Sequence, residues 1–130
     1  MEITTQQSEK LMSLAKAKAK EINVAMNIAI IDKWGHLKAF ARMDDAFLGS
    51  IDIAIKKAKT SMLFRMNTEQ VGEFLKPEVA AYGMEATSGG LIGFPGGMPI
   101  KANGEIIGYI GVSGGFPTQD QTVAAAGSNI

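Results

Sequence analysis

At 130 residues the chain has room for one domain with its own core. Lys and Arg balance Asp and Glu at 13 each, so no basic excess marks a nucleic-acid binder. With no cysteine, a disulfide framework, a thiolate nucleophile and a Cys-ligated metal are all excluded.

The opening run, Met1-Glu2-Ile3-Thr4, has neither the basic start nor the apolar stretch of a secretory signal. The richest apolar stretch, Val24 to Ile31, is too short to cross a bilayer. A cytoplasmic protein without membrane contact is expected. Thr4-Thr5-Gln6-Gln7 forms a capping box, and Leu11, Leu14, Ala15 and Ala19 recur behind it at helical spacing, which predicts a first helix to about Lys20. From Ile22 the period changes to two. Ile22, Val24, Met26, Ile28 and Ile30 then share one face of a strand predicted to run to Ile31. Asp32-Lys33-Trp34-Gly35 reads as a tight turn, and His36 to Met43 as the returning strand of a hairpin.

Leu48, Ile51, Ile55, Ala58 and Met62 mark a long second helix. Lys16, Lys18, Lys20, Lys56, Lys57 and Lys59 read as the solvated faces of the two helices. A short helix is predicted from Asn67 to Leu75, and Pro77 can open another turn. Leu91 to Phe94, Met98 to Ala102 and Glu105 to Ser113 are strand-like, the last two joined by Asn103-Gly104, a strong hairpin signal. A final helix starts near Pro117. The order predicts an α+β fold, a five-stranded antiparallel sheet with flanking helices, as a single domain over residues 1–130.

His36 is the only histidine. It can ligate a haem iron, move a proton near neutral pH, or simply be a hydrogen-bonded residue beside a turn. Arg42 falls on the same predicted strand face and can grip a carboxylate or a haem propionate, or pair with Asp44 or Asp45. The segments 89–97 and 108–115 hold most of the 15 glycines, Gly96 and Gly97 among them. Glycine in or beside strands permits either sheet irregularity or the close approach of a ligand or second chain. Neither segment is a phosphate-binding fingerprint, and Ser113 and Thr87 have no base nearby in sequence.

The run Gly93-Phe94-Pro95-Gly96-Gly97-Met98-Pro99-Ile100, continuing to Gly115 and Pro117-Thr118-Gln119-Asp120-Gln121, resembles the GlcG/HbpS-like haem-binding family. That family includes the C-terminal domain of PduO-type corrinoid adenosyltransferases. Ile31-Asp32-Lys33-Trp34-Gly35-His36-Leu37 and Arg42-Met43-Asp44 are similar to two further signatures, although Trp34 stands where the family usually has a small residue.

The resemblance implies a profilin-like or PAS-like three-layer domain that assembles into homo-oligomers. It also implies binding of haem or a related small ligand, in families tied to glycolate, diol or aromatic catabolism and sometimes called haem-degrading. On that footing His36 is the expected iron ligand, with Arg42, Gly96 and Gly97 as cofactor contacts. The alternative is an enzyme of hydrolase or tautomerase type acting on a small organic acid at a subunit interface. There Arg42 would grip the carboxylate and Glu85 or Asp120 would serve as acid or base.

Overall fold

The first helix, α1 (Thr5–Glu21), begins at the expected box. Thr4 Oγ1 accepts from the Gln7 amide at 3.0 Å, and Gln7 Oε1 accepts from the Thr4 amide at 2.9 Å. Its buried stripe, Leu11, Met12, Ala15 and Ala19, follows the helical repeat. The structure, a computed structural model, describes residues 1–130. It continues with β1 (Asn27–Asp32), β2 (Leu37–Arg42), α2 (Gly49–Phe64), α3 (Thr68–Phe74), a single 3-10 turn at Met84–Ala86, β3 (Gly97–Ala102), β4 (Glu105–Ser113) and α4 (Pro117–Ala126). No helix is long and apolar enough to cross a membrane.

The sheet has four strands in the order β2-β1-β4-β3, all antiparallel, rather than five. The missing strand is Leu91–Phe94. Its backbone is held by other partners: Leu91 N donates to Glu85 O, Ile92 N to Thr60 Oγ1, and Thr68 Oγ1 donates to Phe94 O. Gly90 and Gly96, both at positive φ, bend the chain on either side of it. The first strand is also shorter than expected. Asn23, in the left-handed region at φ 59°, turns the chain out of α1, and Ile22 and Val24 pack on the core as an irregular lead-in. Pro77 opens turns rather than a helix. Asn103 and Gly104, with φ of 52° and 79°, form the expected two-residue hairpin turn.

Two cores follow from the alternation of β1. Ile28 and Ile30 join Leu11, Ala15, Ile110, Val112 and Val123 beneath α1 and α4. Ile31 packs with Tyr109 and Ala58 of α2 on the opposite face. The domain is therefore three-layered, helices on both sides of the sheet.

Helix α2 lies unusually close to the sheet. A Cβ on Gly111 would overlap the Ala54 carbonyl oxygen, and one on Gly97 would overlap the Lys57 carbonyl oxygen. The side that α2 buries is accordingly small: Ser50, Ala54, Ala58 and Ser61, with Lys57 among them. The bulkier row, Ile51, Ile55 and Met62, is only half-buried, and Leu48 is exposed. The predicted stripe was thus displaced around the helix, because backbone proximity, not side-chain bulk, seals this interface.

Candidate functional site

The β1–β2 turn is built around one carboxylate. Asp32 Oδ1 accepts from the Trp34 amide at 2.9 Å and the His36 amide at 3.0 Å, while Asp32 N donates to His36 O at 2.8 Å. Gly35, at φ 96°, completes the turn. Burial works against ionisation of Asp32, but these amides and the neighbouring imidazole outweigh it and hold its pKa below the usual carboxylate value.

This frame turns the His36 ring outward. Its side chain is 79% exposed, with Nδ1 at 3.6 Å from Asp32 Oδ2 and no hydrogen bond from Nε2 within the chain. Trp34, 69% exposed with the Lys33 ammonium 5.6 Å from its ring centroid, and the exposed Leu37 are its near neighbours in sequence. Behind the turn, a Cβ on Gly35 would lie 3.1 Å from Met62 Sδ. Met62 also lines a cleft of about 330 Å³ with Ile55, Leu63, Lys56 and Lys59. Asp52 also lines this cleft and pairs with Lys56 at 3.2 Å, which leaves Lys59 as its unpaired cation. An exposed imidazole near a carboxylate can ligate a metal or move a proton.

The other expected residues lie elsewhere. Arg42 ends β2 in a separate cleft of about 350 Å³ with Lys16, Lys20 and Asp44, and forms no ion pair with Asp44 or Asp45. Gly96 and Gly97 are buried beneath α2, against Lys57 and Thr68. The close neighbour that these two glycines admit is a helix of the same chain. Glu85 is exposed on the 3-10 turn. Asp120 is sealed inside. Within one chain, Arg42, Glu85 and Asp120 share no cleft.

The partner of Asp120 is Lys57, which the sequence reading assigned to a solvated face. Lys57 is fully buried, its Nζ 2.8 Å from Asp120 Oδ2, 2.9 Å from Val112 O and 4.8 Å from the Phe94 ring centroid. Asp120 Oδ1 also accepts from the Gly115 amide at 2.9 Å. Desolvation pushes the Lys57 pKa down and the Asp120 pKa up, each against the opposing pull of its partner. The pair ties α2, the end of β4, the Phe94 loop and α4 together. Its spacing held the signal: Lys57 falls three residues after Ala54 and four before Ser61, on the small-residue face.

Residues 3–129 match the family model described as haem degrading protein HbpS-like. This chain belongs to the HbpS-like family. An HbpS-like chain of this kind is 37% identical over 123 residues to the uncharacterized 15.0 kDa protein in the dhaT-dhaS intergenic region of Citrobacter freundii, covering 94% of this chain and 87% of that one. It is 32% identical over 111 residues to protein GlcG of Escherichia coli K12, covering 85% and 81%. Among solved structures, the PduOC:heme complex superposes with a TM-score of 0.92 at 30% identity, over 98% of this chain and 93% of that one. The three-layer α+β arrangement is therefore shared by HbpS-like relatives.

Proposed function

We propose that this protein binds haem at the tip of the β1–β2 hairpin, where His36 Nε2 would hold the iron. The observation that carries the reading is the outward imidazole with a free Nε2 and a carboxylate behind it. The surroundings fit the group. Trp34 and Leu37 offer apolar surface for a porphyrin face, and Lys59, free of any ion pair, offers a cation to a propionate. A relative of the same fold has been solved with heme, which supports the ligand class. Bound haem supplies an iron centre for ligand or electron chemistry. The chain's own contribution is to present the imidazole, with Asp32 fixing the turn that carries it.

Arg42 lies six residues along from His36, about 20 Å at strand rise, too far to serve the same iron. Its role in this reading is to meet an acidic group of another ligand or of a neighbouring copy. Self-association in the cytoplasm completes the proposal, supported by Phe47, Leu48 and Phe116, three large apolar side chains left exposed.

The test is a haem titration followed by absorbance. His36→Ala should shift the Soret band and weaken binding, whereas Arg42→Ala should leave the spectrum unchanged. An unaltered spectrum in His36→Ala would assign the iron to another residue. Sedimentation showing only a 13.8 kDa monomer at micromolar concentration would remove the self-association.

A further inference from the structure

The largest cleft in the molecule, about 650 Å³, lies away from the hairpin tip, between the corner joining α2 to α3 and the outer edge of β3. Its size is ordinary for a small-molecule site. Its charge is not. Arg65 stands on one wall and Lys101 on the other, and no acidic residue lines it, although the chain as a whole is neutral. Neither cation takes part in any ion pair of the chain.

Both walls are fixed in place. Arg65 caps α2 in the left-handed region at φ 53°, and the turn after it is tied by Ser61 Oγ donating to Met66 O at 2.7 Å. Asn67 N donates to Gln70 Oε1 at 3.1 Å and starts α3. Opposite, Lys101 N donates to Ser128 O at 2.9 Å and Lys101 O accepts from Ile130 N at 3.1 Å, so the C-terminal residues are laid against β3. The rest of the lining is mixed, with Met66, Met98 and Pro99 beside Gln70, Ser128 and Asn129.

We propose that this cleft binds a small linear dicarboxylate, one carboxylate on Arg65, the other on Lys101, and the methylene spacer across the mixed lining. Two like charges held on facing walls without a counter-charge favour a ligand bearing two separated negative groups. A guanidinium fork suits a carboxylate in particular. A single compact anion such as acetate or phosphate presents one charged group to the two cations, where a linear dicarboxylate presents two separated ones.

The experiment is an amide-resolved NMR titration of the intact chain with malonate, succinate, glutarate and adipate, beside acetate and inorganic phosphate at matched ionic strength. Saturable shifts at Met66, Lys101 and Asn129 are expected, with one chain length preferred and acetate and phosphate at least tenfold weaker. Arg65→Gln and Lys101→Gln should each lower affinity at least tenfold. Both side chains are exposed, so the spectra of the variants should stay dispersed and haem binding unchanged. Non-saturating shifts, phosphate binding as tight as the best dicarboxylate, or affinity retained in either variant would overturn the proposal.

Discussion

Replacing Lys57 by Met removes a buried ammonium but leaves its carboxylate behind. Asp120 is 2% exposed, and the variant strips it of the 2.8 Å bond while Val112 O loses its 2.9 Å donor. Breaking one side of a buried pair costs about 3–5 kcal/mol. Asp120 keeps the Gly115 amide, which favours the lower end, about 3 kcal/mol, against a total stability of about 5–15 kcal/mol. In a urea titration this lowers the midpoint by about 1–3 M at an ordinary slope.

The loss depends on pH with a definite sign. Desolvation already raises the folded Asp120 pKa above 3.8, and removing Lys57 raises it further. The folded variant then holds its proton more tightly than the unfolded chain, so its stability declines as pH rises from about 4 through the raised value. The gap from the parent protein should therefore be wider at pH 8 than at pH 5. Lys57→Met with Asp120→Asn should recover most of the loss, since Asn still accepts from Gly115. A single variant as stable as the parent, or a gap indifferent to pH, would refute the argument.

Gly111→Ala puts a methyl group into the Ala54 carbonyl and the Ala58 amide, so α2 must lift; calorimetry should read a loss of about 1–3 kcal/mol or more, with the transition lowered. Asp32→Ala deprives the Trp34 and His36 amides of their acceptor and should cost about 1–3 kcal/mol at neutral pH by denaturant titration. Because the folded Asp32 pKa lies below 3.8, its contribution is present above that value and disappears as pH falls through the folded one. The difference between Asp32→Ala and the parent should close in acid.

The legible parts of this fold were those whose signals are local. A capping box names its own partners, and Asn103-Gly104 names its own turn, so both sit where the residues said they would. Leu91–Phe94 misled because its apolar composition is strand-like, while the bonds that hold it come from Thr60 and Thr68, about thirty residues earlier in the chain. Lys57 misled for a related reason. Lysine is rarely fully buried unless paired, and its partner Asp120 lies on another helix, 63 residues away. At the candidate site, His36 stood out as the sole imidazole, but its setting came from structure: the free Nε2, the Asp32 carboxylate and the Met62 surface behind Gly35.

The placement of Trp34 also decides what the protein's intrinsic fluorescence reports. It is the only tryptophan, and its indole already faces water at the hairpin tip. Melting the core changes its surroundings little, so emission follows global unfolding poorly, and backbone dichroism is the better probe of stability. On the proposed reading, a haem held by His36 would lie near this indole and would quench it by energy transfer. Light from one side chain would then report the proposed occupancy of the turn almost independently of the state of the sheet beneath it.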